Sequence, residues 1–147
     1  SSDRRNRIAA RFFSKLFQKF DGSDCAAFMT DMKLQADEET FYYPDVFVAC
    51  DNPNRYFRRQ PILVIEVLSP STERADKHEK VNVYRQIPTL QEYVIVAQGE
   101  VWIELHQRQN DENWTRKTLT EINEILELKS VDLTFSLAEI YRGISFD

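Results

Sequence analysis

The stretch PILVIEVLSPS, Pro61 to Ser71, has one carboxylate inside an otherwise apolar run. Ile62, Leu63, Val64, Ile65, Val67 and Leu68 are apolar, and Glu66 sits among them. Near-continuous apolar character over seven or eight residues reads as a central β-strand covered on both faces. Such a strand has no place for an unpaired ionised carboxylate, so Glu66 needs a partner, a metal or a raised pKa.

Working outward, the chain reads as an α/β protein. Ile8, Phe12, Leu16 and Phe20 recur at i+4, with Phe13 and Phe17 beside them, which predicts an N-terminal amphipathic helix ending at Gly22. CAAFMTDMKLQA reads as a strand and DEET as a turn. TFYYPDVFVAC reads as a second strand interrupted by Pro44, and DNPNRYFRRQ as a loop of turn residues. PILVIEVL is the third strand. A helix is expected over residues 72–87, capped by Ser69 or Ser71 and closed by Pro88. LQEYVIVA supplies another central strand. EVWIELHQRQ alternates and pairs as a hairpin with WTRKTLT through NDEN. A last helix begins at Ser136, with Glu139 at capping-box spacing. The 147 residues therefore fit one domain, 1–147, built on a mixed β-sheet core flanked by helices, with a C-terminal hairpin and helix.

Composition narrows the function. No apolar run reaches the roughly 20 residues of a membrane span, and no signal-peptide pattern opens the chain. Cys25 and Cys50 read as reduced and buried, which fits the cytoplasm; one disulfide between them is the alternative. The net charge of −5 weighs against a nucleic-acid partner, but its distribution does not. RRNRIAARFFSKLFQK holds six basic residues and no acidic one, NRYFRRQ is also basic, and acidic residues gather from Glu100 onward. A basic side and an acidic side are expected.

A second carboxylate, Asp45, interrupts YYPDVFVA just after Pro44. If the two strands pair, Asp45 and Glu66 converge at one end of the sheet, where they share a proton or hold a hard cation. On the following helix Asp76, Lys80 and Tyr84 recur at i+4 on one face, which lets Lys80 reach back over the pair. A divalent metal on two carboxylates beside a lysine is a phosphodiester-cleaving arrangement. Each residue also has a plainer reading. Asp45 can cap a turn, and Glu66 can pair with an arginine of RYFRR. Asp76 and Lys80 can form a surface pair, and Tyr84 can be core with a solvated hydroxyl. His78 and His106 have no metal-ligand spacing and read as surface residues.

YYPDVFVAC, EVLSPST, the Asp76–Lys80–Tyr84 series and LQEYVIV, in that order, resemble the Uma-two family, a branch of the PD-(D/E)XK nuclease superfamily. The resemblance runs from about Asn6 to AEIYRGISF. It implies a restriction-endonuclease-like fold and a magnesium-dependent endonuclease, with manganese as an alternative ion. Asp45 and Glu66 would be catalytic and metal-ligating, with the Val67 carbonyl a further ligand. Leu68 stands where the superfamily usually has lysine, so the resemblance moves that role to Lys80, held by Asp76 and Tyr84. Arg5 stands where members often carry His, and members usually extend further upstream. The implied partner is DNA, touched by Arg4, Arg5, Arg7, Arg11, Arg58 and Arg59. A homodimer is left open, and neither a membrane nor a nucleotide cofactor is expected. The rival readings are a nuclease-fold module that binds DNA or protein without cutting, and a structural subunit of a larger assembly.

Overall fold

The computed structural model describes residues 2–50, 56–69 and 80–146. Helix α1 (Asp3–Phe20) opens with Ser2, whose hydroxyl accepts from the Arg5 amide. It buries Ile8, Ala9, Phe12 and Leu16, the stripe its periodicity predicts, and Gly22 follows at φ 79°. A left-handed φ suits glycine because it has no Cβ to clash.

Among the described residues six strands precede the crossover. The segment expected to be one strand is two, β1 (Ala26–Met29) and β2 (Lys33–Gln35). The Met32 amide closes a turn on the Met29 carbonyl at 3.0 Å. Pro44 likewise divides β3 (Phe41–Tyr42) from β4 (Val46–Ala49). Proline lacks the N–H a continuous ladder needs there. The presumed loop contains β5 (Phe57–Arg58), and β6 is Pro61–Val67. Helix α2 (Val81–Arg85) precedes β7 (Glu92–Val96). The earlier part of the expected helix lies outside the described residues.

The chain continues as the hairpin β8 (Ile103–Arg108) and β9 (Trp114–Leu119), as expected. Strands β10 (Ile125–Leu128) and β11 (Leu133–Ser136) form a second hairpin that the local pattern does not announce. Helix α3 (Leu137–Ile140) then starts with the Ser136–Glu139 capping box.

The main sheet has six strands in the order β1-β4-β6-β7-β8-β9. Within this sheet, among the described residues, only β6 and β7 run parallel, and α2 lies in the connection between them, as a parallel pair requires. Strand β6 is covered on both faces. Leu63, Ile65 and Val67 join α1, β10, β11 and α3 in one apolar layer. Val64 and Leu68 join Phe47, Tyr84, Tyr93 and Ile95 in the other. That double burial explains the unbroken apolar run. Leu68 is an ordinary core residue, 8% exposed.

The cysteines are a correction. Cys25 and Cys50 form a disulfide, S–S 1.99 Å, rather than two buried thiols. The register Ala26↔Ala49, carried one residue outward, sets them opposite each other. The argument from thiols to a reducing compartment therefore falls. Among the described residues no helix is long and apolar enough to cross a membrane.

Candidate active site

Glu66 lies on the α2 face of the sheet, since side chains alternate along a strand and Val64 points there. Three donors converge on its carboxylate. Lys80 Nζ and Tyr84 Oη reach Oε1 at 3.3 and 3.1 Å, and Tyr93 Oη reaches Oε2 at 2.8 Å. One turn of helix brings two of them. The Tyr84 amide bonds the Lys80 carbonyl at 2.9 Å, so the i+4 pair acts on one oxygen. The third comes from β7, where the register Glu66↔Ile95 puts Tyr93 two residues back on the same face. Burial first, and then the Glu66 charge, hold both phenols well above the ordinary 10. They therefore remain protonated donors across the physiological range.

Asp45 sits beside this group by register. Val46 pairs with Ile65, and one step further along the antiparallel ladder sets Asp45 opposite Glu66. Asp45 is 2% exposed. Its Oδ2 accepts from the Val67 amide at 2.8 Å, so the side chain crosses to β6 instead of capping a turn. Arg5, from the first turn of α1, completes it with a two-point grip: Nε to Oδ1 at 2.9 Å and Nη2 to Oδ2 at 3.1 Å. The arginine that meets a site carboxylate is thus Arg5 on Asp45, not one of RYFRR on Glu66. A cleft of about 180 Å³ opens here, lined by Arg5, Tyr43, Glu66, Val67, Ser69, Lys80 and Tyr93, among others.

The remaining candidates are more scattered. Asp76 and His78 lie outside the described residues. Val67 lines the cleft and bonds Asp45 through its N–H. Of the six arginines considered for DNA contact, only Arg5 lines the cleft. Arg4 donates to the Ser145 carbonyl, Arg7 to Asp3 and Arg11 to the Arg142 carbonyl. Arg58 and Arg59 stand over Phe28 and Phe57, at 4.6 and 6.0 Å from the ring centroids.

His106 is another correction: it is 1% exposed, not a surface residue. Its Nδ1 lies 2.9 Å from Arg85 and its Nε2 lies 2.7 Å from Glu104. Arginine only donates, so Nδ1 accepts and Nε2–H donates to Glu104. Burial, the largest influence, lowers the imidazole pKa against the pull of Glu104, and Arg85 and Arg116 lower it further. Reading the residues missed two members of this face, Tyr93 and His106. Alternation in LQEYVIVA and EVWIELHQ would have put both on one side, but only strand order tells which side.

Chemically, Asp45 and Glu66 offer the hard oxygen donors that a divalent cation such as magnesium takes, at one end of a sheet and beside a cleft. Among the described residues no third His, Cys, Asp or Glu joins them as a cage. A cation here would take two carboxylates, with backbone carbonyl and water oxygens filling its other positions. Those residue types fit the ion. Arg5, however, already occupies Asp45.

Residues 1–138 match the Uma2 family model, described as "Putative restriction endonuclease". Two relatives from Synechocystis sp., named as the uncharacterized proteins slr1290 and sll1609, are 37% and 34% identical. The matches cover 95% of this chain and 75% of the first relative, and 83% of this chain and 71% of the second. A crystal structure of "a putative nuclease belonging to DUF820" from Anabaena variabilis superposes with a TM-score of 0.77 at 13% identity. That superposition covers 96% of this chain and 82% of that one, and it establishes the shared nuclease fold. By the extent of the family match, this chain belongs to the Uma2 family of putative restriction endonucleases.

Proposed function

We propose that this protein is a magnesium-dependent endonuclease of the PD-(D/E)XK type that hydrolyses phosphodiester bonds in DNA. The observation that carries the reading is the triple engagement of Glu66 by Lys80, Tyr84 and Tyr93, one strand position across from Asp45. A carboxylate with only a structural duty needs one counterion. This one is oriented by two phenols that stay protonated across the physiological range, and it keeps a lysine that lines the cleft.

Asp45 and Glu66 would hold the cation, with the Val67 carbonyl as a further ligand. Manganese would replace magnesium. When bound, the ion would supply a water of lowered pKa and neutralise charge on the phosphate. The chain supplies the rest. Tyr84 and Tyr93 fix the Glu66 carboxylate, so it does not reorganise during reaction. Lys80 Nζ, 37% exposed at side-chain level and 3.3 Å from Glu66, orients the attacking water and offsets charge on the phosphoryl oxygens. The lysine role therefore falls to α2 and not to position 68. Asp76, outside the described residues, would hold Lys80, as the family resemblance implies.

The test is cleavage of supercoiled plasmid and of duplex and single-stranded oligonucleotides with magnesium. Wild type should cut at least one of them, and chelator or Glu66→Gln should abolish cutting. Cutting that survives Glu66→Gln would overturn the assignment. A second reading, a nuclease-fold module that binds DNA without cutting, is favoured by one observation: Arg5 already neutralises Asp45. Metal-independent binding with no cleavage of any substrate would select it.

A further inference from the structure

The grip of Arg5 on Asp45 has a consequence for cation binding. We propose that Arg5 and the divalent cation are alternative counterions of Asp45, so that cation loading requires Arg5 to swing off the carboxylate. This rests on the metal-site reading above and adds a competitor built into the chain.

A carboxylate as buried as Asp45 must be paired, and a planar guanidinium with two parallel bonds is the pairing best matched to it. Arg5 supplies that pairing without a metal, at 2.9 and 3.1 Å, while the Val67 amide takes a third acceptor direction. Of the roughly four acceptor directions only one, on Oδ1, is left open, and a divalent cation approaching it meets the like charge of the guanidinium. That repulsion sets the two counterions in competition for Asp45.

The local structure lets Arg5 leave. Its backbone is anchored by the Ser2 cap, where the Arg5 amide meets Ser2 Oγ at 3.1 Å, and Ser2 Oγ in turn donates to Gln98. The Arg5 side chain is 32% exposed and lines the cleft. It can therefore rotate into solvent while α1 stays in place. At Glu66 only the Lys80 ammonium carries charge, through a single bond of 3.3 Å, and the two phenols are neutral, so the two-point ionic grip lies at Asp45. The exchange at Asp45 lowers apparent cation affinity by the fraction of molecules in which Arg5 is off.

Manganese titration of wild type, Arg5→Gln, Arg5→Lys, Arg11→Gln and Glu66→Gln tests this, with free ion counted by electron paramagnetic resonance. Thermal melts with and without manganese accompany each titration. Arg5→Gln should bind about tenfold tighter or more than wild type. Arg5→Lys, which keeps a cation without the two-point fork, should fall between them and secures a folded protein for comparison. Arg11→Gln should match wild type. The manganese-induced rise in melting temperature should be larger in Arg5→Gln than in wild type. Equal or weaker manganese affinity in both Arg5 variants would overturn the competition while leaving the metal site standing. If no variant binds manganese, both the competition and the metal-site reading fail.

Discussion

Glu66 takes one ammonium and two phenols, and only the ammonium carries charge. In the proposed reaction the phenols would hold the carboxylate while Lys80 would face the substrate. Lys80→Ala should accordingly lower cleavage about a hundredfold or more, the scale on which a placed electrostatic group acts. Manganese affinity should change little, because the lysine is not a ligand. A fully active Lys80→Ala enzyme would remove α2 from the mechanism. His106 carries a second prediction at this scale. Its folded pKa lies below the ordinary 6.5, chiefly through burial. Between those two values the unfolded chain binds more protons than the folded one. Stability is therefore intact above about pH 6.5 and is lost as pH falls toward the folded value, by at most about 1.4 kcal/mol per pH unit for this proton. Protonation would also put a charge against Arg85, whose helix carries Tyr84. Urea unfolding of wild type and His106→Gln from pH 7.5 to 5 measures the effect. The fall should be shallower in the variant, and identical slopes would contradict it.

At the scale of elements, register organises the site. One ladder step beyond Val46↔Ile65 brings Asp45 to Glu66, and one step beyond Ala26↔Ala49 brings Cys25 to Cys50. The disulfide closes a separation of 25 residues. Constraining the unfolded chain over that length stabilises by roughly 3 kcal/mol. For a domain of this size that is about 10 °C in melting temperature. Cys25→Ser with Cys50→Ser should show that loss by calorimetry, and an unchanged melt would mean the cross-link does not form in solution. Register also decides what could be read from residues. The double burial of β6 is legible because period and length are local properties, and so is the i+4 pairing of Lys80 with Tyr84. Tyr93, the Arg5–Asp45 pair, the disulfide and the burial of His106 are not local. Each depends on which strand or helix lies beside which, and no window along the chain contains that. The single strand expected over CAAFMTDMKLQA failed for the opposite reason: a tight turn within it lacks glycine and proline, the usual markers.

At the scale of the whole molecule, the basic segment of α1 is less available than its composition suggests. Each of its six basic residues has an acceptor within the chain. Arg4, Arg5, Arg7 and Arg11 are engaged as described above, and Lys15 and Lys19 face Glu139 and Asp132. The expected basic side is thus partly spent on the acidic C-terminal half, holding α1 to it. Six phosphate contacts would give a logarithmic salt slope of about −5 on duplex DNA. Binding of this protein in calcium should show a clearly shallower slope, and a slope of −5 or steeper would return α1 to the DNA interface. The proposal at the site is narrower than DNA binding: Asp45 and Glu66 would jointly hold a divalent cation. Crystals soaked in manganese and measured at its absorption edge test it most directly. One anomalous peak is expected, bonded to oxygens of both carboxylates, with the Arg5 guanidinium turned away from Asp45. A fully soaked crystal with no peak between the two carboxylates, and Arg5 still gripping Asp45, would contradict it.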